Sequence, residues 1–351
     1  MGDEFQDFTL AAVQAAPVYM DRDASIDKAC GLIDEAAASG AHLAVFGETW
    51  VPGYASFARW LGHPSAWNAV KRFIANGVEI PSPATEKLCQ AARRAGIDVA
   101  IGVAERDSTT QGSIYCTLLF IGRDGSIIGK HRKLKPTFYE RAVWGEGDGS
   151  TLVVYDRPYG KLGGLNCWEH QMVLPGYALI AQGVQVHAAV WPGGTFTRQD
   201  VLSRAFAMQA GAYVVMTGGL LRKEDIPDEM ADIVLPMNGH SGIIGPNGAY
   251  LAGPLDEQEG ILTAKANLGE VMAQRMVSDH AGHYTRPDVF DFRVNRRPKR
   301  VATFEDEAAA VQDALDRVRQ GIANGDISDQ RELAGALEDL GVTAERAARG
   351  S

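Results

Sequence analysis

Apolar residues follow two alternating patterns along this chain, short uninterrupted runs and longer segments with helical spacing. The runs are typical of strands that are covered on both faces. The longer segments predict amphipathic helices, such as 25–38 with Ile26, Ala29 and Ile33 on one face. The predicted strands are 8–14, 42–46, 99–104, 115–121, 126–131, 152–155, 162–166, 186–190, 213–217, 241–244 and 249–252, and the predicted helices are 25–38, 86–95, 175–182 and 199–210.

The order of these elements determines the predicted fold class. Strands alternate with helices, which favours parallel strands joined by helical crossovers. Turn sequences at 123–125 (RDG) and 246–248 (PNG) predict hairpins, which add antiparallel neighbours. The sequence therefore predicts a layered α/β fold with mixed sheets.

The composition changes near residue 285. Five basic residues lie within 293–300, and 304–351 is rich in Ala, Asp, Glu and Arg. We therefore expect a core domain over 1–285 and a C-terminal helical extension over 286–351. Its first helix is expected to be ordered and its end partly disordered. An alanine-rich helix predicted at 305–318 suits assembly or the surface better than ligand binding.

Charge and hydropathy exclude several kinds of partner. The 351 residues include 46% hydrophobic residues, enough for a sizeable core, and the net charge is −10. Phosphate binding needs clustered Lys and Arg, so no nucleic-acid partner is expected. No apolar run reaches the roughly 18 residues of a membrane span, and the acidic N-terminus lacks the apolar segment of a signal peptide. These features favour a soluble cytoplasmic protein without a membrane partner.

Cysteine spacing limits the possible cofactors. The chain has four cysteines, Cys30, Cys89, Cys116 and Cys167, and no Cys-x-x-Cys pair. Zinc ribbons, iron–sulfur clusters and dithiol redox sites use such pairs. We therefore expect no cofactor, no metal and a reducing compartment.

Glu48, Lys133 and Cys167 share one position in the predicted architecture, the point where a core strand meets a loop. Ligand sites in layered α/β folds gather at strand ends, so we expect these side chains to converge. A carboxylate can accept a thiol proton and activate water, and an ammonium can stabilise developing negative charge. Taken singly, each residue also has an ordinary interpretation: a buried apolar thiol, a helix-terminal charge and a surface cation.

Three segments around these residues resemble the nitrilase superfamily of carbon–nitrogen hydrolases. The segments are 46–54 (FGETWVPGY), 132–137 (RKLKPT) and 163–170 (GGLNCWEH), in the order found in the family. The resemblance covers roughly residues 8–285. Within the superfamily, Trp168 and Glu169 after the cysteine indicate the nitrile-hydrolysing branch rather than amidase and carbamoylase relatives.

The resemblance implies a four-layer α-β-β-α sandwich and a Glu-Lys-Cys triad without metal. Glu48 would be the general base, Lys133 the stabilising cation and Cys167 the nucleophile. Many relatives have a second glutamate shortly after the lysine, and Glu140 matches it. The subunits of relatives pair so that their sandwiches stack, and they often build spiral filaments. A homo-oligomer with a dimer as its building block is therefore expected.

The implied reaction converts an organic nitrile and water to a carboxylic acid and ammonia through a thioimidate and a thioester on Cys167. An aliphatic amidase, a carbamoylase or a cyanide-hydrolysing enzyme of the same superfamily is the alternative. A third possibility is an assembly protein that kept the fold but has no catalytic activity. A metal-dependent nitrile hydratase is disfavoured because the sequence has no clustered cysteine ligands.

Further residues are expected to shape the substrate pocket. The predicted pocket residues are Tyr54, Thr137, Tyr139, Trp168, Trp191 and Pro192, which favour apolar or aryl substrates, although each also suits ordinary packing. Gly47 and Ala55 replace prolines that are frequent in relatives, which affects loop shape near the pocket. His170 is disfavoured as a catalytic residue because neighbours on an extended strand point in opposite directions. His240 is expected to be structural.

Overall fold

Two sheets form the centre of the computed structural model, which describes residues 4–194, 196–299, 301–302 and a few positions between 312 and 322. The strands are β1 (Asp7–Gln14), β2 (Leu43–Phe46), β3 (Asp98–Arg106), β4 (Ile114–Ile121), β5 (Ile127–Arg132), β6 (Trp144–Gly145), β7 (Tyr155–Arg157), β8 (Gly160–Asn166), β9 (Val186–Trp191), β10 (Tyr213–Gly218), β11 (Leu220–Leu221), β12 (Met237–Ile244), β13 (Tyr250–Asp256) and β14 (Gly260–Asn267). The α-helices are α1 (Arg22–Ala38), α2 (Ala66–Ala75), α3 (Pro83–Ala95), α4 (Val173–Ile180), α5 (Phe196–Ala210) and α6 (Leu268–Val277).

Each sheet mixes parallel and antiparallel neighbours. The first sheet has the order β14-β1-β2-β3-β4-β5 with β6 beside β4, and the second has β11-β12-β10-β9-β8-β7 with β13 beside β12. Strands β1, β2 and β3 are parallel, as are β8, β9 and β10. Hairpins such as β4-β5 and β7-β8 supply antiparallel edges. The mixed sheets predicted from the sequence are confirmed.

Alternation along the strands divides the buried residues into separate cores. On β1, Leu10 and Ala12 join a cluster with Val186 of the second sheet, whereas Ala11 and Val13 pack with α1 and α3. The opposite face of the second sheet packs against α4 and α5. Both faces of the central strands are therefore covered, which explains their continuous apolar runs. The predicted α-β-β-α sandwich is confirmed.

Several element boundaries differ from the prediction. Most of the strand predicted at 152–155 is a loop, although Leu152 is buried, and β7 begins at Tyr155. The β7-β8 hairpin turns at Pro158 and Tyr159, so pairing rather than hydrophobicity sets the position of β7. Helices α2 and α6 and strand β14 were not predicted from the sequence, and the strand predicted at 249–252 extends to Asp256. Strand β14 is a partly exposed edge and lacks an apolar run.

The chain divides into two units, Met1–Val294 and Asn295–Ser351. Most of the predicted extension, including most of the helix predicted at 305–318, lies outside the described residues. The predicted domain boundary after residue 285 therefore stays a prediction. Within the described part of the chain, no helix has both the length and the apolar character needed to cross a membrane.

Candidate active site

The ends of β2, β5 and β8 bring the four predicted catalytic residues together. Lys133 Nζ donates to Glu48 Oε1 at 2.7 Å and to Glu140 Oε2 at 2.8 Å. Side-chain ligand atoms of Glu48, Glu140 and Cys167 lie within 4.8 Å of one another. All four side chains are buried. The convergence expected from the strand-end positions is therefore present in the structure.

Both sheets contribute to this cluster. Glu48 and Lys133 follow strands of the first sheet, whereas Cys167 follows β8 of the second. The backbone N–H of Glu48 donates to the carbonyl of Trp191 at 3.3 Å, which ties the end of β2 to the end of β9. The packing of one sheet on the other therefore sets the distance between the Glu48 carboxylate and the Cys167 thiol.

Three loop residues beside the cluster have a positive φ, which is uncommon outside glycine. The angles are 42° at Thr49, 49° at Phe138 and 50° at Cys167. In this region the Cβ atom crowds the backbone, so surrounding contacts must enforce the conformation. Cys167 begins the 3₁₀ turn Cys167–Gln171 directly after β8. The thiol is thus presented by a tight turn at the end of a buried strand.

Burial controls the proton affinities in the cluster. It raises the pKa of Glu48 to about 7, although the nearby ammonium opposes this. Burial and the Glu48 charge raise the pKa of the Cys167 thiol well above its usual value. Burial would lower the pKa of Lys133, but Glu48, Cys167 and Glu140 together raise it. At neutral pH the thiol is therefore protonated and needs a base before it can attack.

Three of the predicted pocket residues surround Glu140. The hydroxyl of Tyr54 donates to Glu140 Oε1 at 2.6 Å, and the backbone N–H of Thr137 donates to Oε2 at 2.6 Å. The hydroxyls of Tyr54 and Tyr139 lie 3.2 Å apart. Hydrogen bonds to both carboxylate oxygens therefore hold Glu140 in place, while Oε2 also accepts from Lys133.

A small cavity opens beside Glu48. Its apolar and aromatic lining includes Tyr19, Trp50, Tyr54, Pro192, Leu221 and Met237. Tyr54 and Pro192, both predicted as pocket residues, are part of this lining. The half-buried ring of Trp168 faces the Arg198 guanidinium at 4.5 Å. The lining places apolar and aromatic side chains next to the Glu48 carboxylate, around a cavity of about 20 Å³.

Trp191 lies behind Cys167 rather than on the wall of this cavity. Its side chain is fully buried in the core cluster that includes Cys167. The indole Nε1 donates to Ser203 Oγ at 3.2 Å, and the ring stacks on His170 with centroids 5.1 Å apart. The end of β9 thus turns the Trp191 ring toward the helical layer, and its predicted role in the pocket stays a prediction.

Glu169 is a further buried carboxylate next to Cys167, and donors surround it. His131 Nε2 lies 3.0 Å from both carboxylate oxygens. The backbone N–H of Leu134 donates to Oε1 at 2.8 Å, and that of Asn166 donates to Oε2 at 2.8 Å. Glu169 therefore joins the loop that carries the lysine to the strand end that carries the cysteine.

The pKa values of this pair move in opposite directions. Burial would raise the pKa of Glu169, but His131 and the backbone donors lower it below its usual value. Burial would lower the pKa of His131, but the Glu169 carboxylate raises it. The pair is therefore an ionised contact in which both Glu169 oxygens accept hydrogen bonds. In the sequence, Glu169 indicated only the branch of the superfamily, and its contact with His131 was not predicted.

His170 is engaged away from the thiol. Its Nδ1 donates to the Cys167 carbonyl at 2.7 Å, and its Nε2 lies 2.9 Å from His187 Nε2. Burial lowers the pKa of His170 to about 4 and that of His187 well below its usual value. With both rings neutral, His187 donates to His170, and His170 holds the strained Cys167 peptide. His240, also noted in the sequence, bonds to Asp256 at 2.7 Å.

Cys116 was not predicted as a site residue. Its Sγ donates to Glu48 Oε1 at 3.2 Å from β4 of the first sheet. Alternation along β4 places Cys116 on the same face as Leu118 and Phe120, which belong to the core between the sheets. That alternation was the signal that could have pointed to Cys116.

The cluster of Glu48, Glu140 and Cys167 also has the residue types of a metal site. Among the residues that the structure describes, Glu48, Glu140 and Cys167 could place three ligand atoms around a cation. Lys133 already bridges the two carboxylates with its ammonium group. The charge that would attract a metal is thereby compensated, and the arrangement suits thiol chemistry assisted by lysine.

The chain is similar to known proteins over most of its length. The family model for carbon-nitrogen hydrolase matches residues 9–276. A protein named nitrilase 2 from an unknown prokaryotic organism is 50% identical over 307 residues, which cover 86% of this chain and 97% of that protein. The aliphatic nitrilase of Rhodococcus rhodochrous is 39% identical over 308 residues, 83% of each chain. Nitrilase 2 of Arabidopsis thaliana is 37% identical over 318 residues, 86% of this chain and 92% of that one.

Solved structures have the same fold at lower identity. Saccharomyces cerevisiae Nit3, described as a member of branch 10 of the nitrilase superfamily, aligns with a TM-score of 0.65 at 22% identity, over 80% of this chain and 97% of that one. An amidase from Nesterenkonia sp. aligns with a TM-score of 0.59 at 19% identity, over 77% and 94% of the two chains. At these identities the likeness concerns the fold alone.

Proposed function

The chain belongs to the carbon–nitrogen hydrolase family, as a nitrilase, and from this premise we propose that it hydrolyses organic nitriles through a covalent intermediate on Cys167. The observation that carries the proposal is the buried cluster in which Lys133 bridges Glu48 and Glu140 beside the thiol. Relatives named nitrilases, at 50% and 39% identity, support a nitrile as the substrate class. The products are a carboxylic acid and ammonia.

In the first step the Cys167 thiol adds across the C≡N bond. Sulfur bonds to the nitrile carbon, and the thiol proton passes through Glu48 to the nitrogen, which gives a thioimidate. Because the resting thiol is protonated, proton transfer accompanies the attack. Lys133 stabilises the negative charge that develops on nitrogen, and Glu140 holds Lys133 in place.

In the following steps two waters complete the hydrolysis. The first adds to the thioimidate carbon and gives a tetrahedral intermediate, from which the C–N bond breaks and ammonia leaves. The resulting thioester is attacked by a second water, which Glu48 deprotonates, and the acid and the free thiol are released. A pKa of about 7 suits Glu48 to accept and return protons near neutral pH.

The cavity beside Glu48 supports an apolar organic group on the substrate. Tyr54 and Pro192 line it together with further apolar and aromatic side chains. In this proposal Thr137, Tyr139 and Trp168 act at its margin, where Tyr139 contacts Tyr54 through its hydroxyl. A group of this kind gains binding energy from burial of apolar surface.

A panel of aliphatic, aryl and arylacetonitriles, cyanide and the matching amides tests the proposal. Ammonia, acid and retained amide are measured for the wild type and for Cys167→Ala. We expect acid and ammonia from nitriles, and a rate lower by about 10³-fold or more in the variant with an unchanged circular dichroism spectrum. Near-normal turnover by the variant contradicts the covalent mechanism. Turnover of amides without nitriles identifies an amidase instead.

We further propose a cytoplasmic homo-oligomer built from dimers, with the predicted region 286–351 contributing to assembly and extension into spiral filaments. Exposed apolar side chains on α4 and α5 support an interface. They include Val173 at 79%, Leu174 at 65%, Val201 at 54% and Met208 at 54% exposure. Light scattering after size-exclusion chromatography and negative-stain imaging test this assembly, and a monomer at all concentrations contradicts it.

A further inference from the structure

The two oxygens of Glu48 have different surroundings. Oε1 accepts from Lys133 Nζ at 2.7 Å and from Cys116 Sγ at 3.2 Å. Oε2 is buried and has no hydrogen-bond partner in the described part of the chain. A buried carboxylate oxygen without a donor is energetically unfavourable, so such an oxygen in a native structure calls for an explanation.

Cys116 is placed to act on both charged neighbours. Its thiol donates to the Glu48 carboxylate, and its backbone carbonyl accepts from the backbone N–H of Lys133 at 2.8 Å. The side chain is fully buried in β4. Burial and the Glu48 charge raise the pKa of Cys116 well above its usual value, so the sulfur keeps its proton and remains a donor.

We propose that Cys116 is a positioning residue for the reaction: its S–H fixes Glu48 Oε1 and leaves Oε2 as the oxygen that takes the proton from Cys167. This inference rests on the proposed role of Glu48 as base. Two donors on one oxygen prevent the carboxylate from rotating without breaking both bonds. A base held in this way is ready for proton transfer before substrate binds.

The titratable groups around Glu48 determine how its pKa responds to a substitution of Cys116. The titratable groups around it are Lys133, Glu140, Cys116, Cys167 and Tyr54. A hydrogen bond to the ionised carboxylate favours ionisation, so loss of the Cys116 donor raises the pKa of Glu48. Less of the base is then ionised at neutral pH, and activity recovers as the pH rises.

The experiment compares the pH profiles of kcat/KM for Cys116→Ala, Cys116→Ser and the wild type on a nitrile that the wild type hydrolyses. The alanine variant is expected to shift the acid limb upward by roughly half a unit to one unit, and to lower kcat about fivefold at neutral pH with little change in KM. The serine variant keeps a donor and should restore most of the wild-type profile. Cys89→Ala, which removes a buried thiol in the core under α3, is the matched control and should leave the profile unchanged.

Packing effects are separated by measuring the melting temperature of each variant. A packing defect lowers stability without moving the acid limb, and Cys116→Val provides a second donor-free variant if the alanine variant does not fold. A donor-free variant whose acid limb coincides with that of the wild type overturns the proposal, as does an equal shift in the serine variant. Failure of the proposed function is distinguishable, because the wild type itself would then release no acid from nitriles.

Discussion

Glu48 and Glu169 are two buried carboxylates beside Cys167, and their surroundings are opposite. One Glu48 oxygen accepts from Lys133 and Cys116, and the other has no partner among the described residues. Both oxygens of Glu169 accept hydrogen bonds, from a histidine ring and two backbone N–H groups. Burial raises the pKa of Glu48 to about 7, whereas donors lower the pKa of Glu169.

Burial alone therefore does not distinguish a reactive carboxylate from a structural one. The number of donors does, because each donor stabilises the ionised form and fixes the side chain. A carboxylate that takes up a proton must be short of donors, whereas one that holds two loops together benefits from a full set. The following predictions test this difference.

The largest effect is expected for Glu48→Gln. An amide cannot accept the Cys167 proton, so nitrile hydrolysis should fall by about 10³-fold or more. The fold should persist, because the Lys133 ammonium keeps Glu140 as its partner at 2.8 Å. Ammonia release and thermal melting are measured together. A rate near that of the wild type would falsify the assignment of Glu48 as the base.

Glu169→Gln should act on stability first. It leaves the His131 charge without its partner, which costs about 3 kcal/mol of unfolding free energy. A urea titration measures this loss, and activity under stable conditions should fall less than in Glu48→Gln. If the variant is as stable as the wild type, the pair does not hold the loops together.

The two variants should also differ in pH dependence. The raised pKa of Glu48 means that the folded state keeps a proton that the unfolded chain releases above about pH 4.3, so this residue makes stability fall between that value and about pH 7. Glu48→Gln should therefore gain stability relative to the wild type across this window, by at most about 1.4 kcal/mol per pH unit.

The Glu169 contribution has the opposite sign. Because its pKa is lowered, the stabilisation is present above about pH 4.3 and is lost as the pH falls through the folded-state pKa. The pKa of His131 is raised, so its contribution is present below about pH 6.5 and is lost as the pH rises through its folded-state pKa. The loss of unfolding free energy in Glu169→Gln should thus be largest between about pH 4.3 and about pH 6.5, where both contributions are present. Urea titrations across the range check both trends, and equal slopes for the two variants would contradict them.

The smallest effect is expected for Tyr54→Phe. It removes the donor to Glu140 Oε1 but keeps the ring beside the cavity. We expect kcat to fall about fivefold with little change in KM, because one hydrogen bond to a charged group is lost. Tyr139→Phe is the matched control, since its hydroxyl contacts Tyr54 rather than a carboxylate. An equal loss in both variants argues against a specific role for the Tyr54 hydroxyl.

Local signals explain what the sequence could predict. Apolar runs identified the central strands, and polar residues directly after those runs identified Glu48, Lys133 and Cys167. Their convergence follows from the rule that strand ends in layered α/β folds share an edge. The layers and the convergence of these three residues could therefore be predicted from the sequence.

Contacts between distant strands were not accessible in this way. The bonds from Cys116 to Glu48 and from His131 to Glu169 depend on register and on how one sheet lies over the other. No short segment encodes either quantity. Trp191 shows the same limit, because its strand was predicted but the direction of its side chain at the strand end was not.

The division of the reactive groups between two sheets has a consequence for biosynthesis. The first sheet is closed at one edge by β14, which pairs with β1, and the sheets are joined by contacts such as Thr217 Oγ1 to the Val45 carbonyl at 3.2 Å. Because β14 ends at Asn267, we expect the ribosome to release the chain at least to this residue before both sheets are complete around the thiol, the carboxylate and the ammonium. Cys167 would then gain its buried surroundings late in folding.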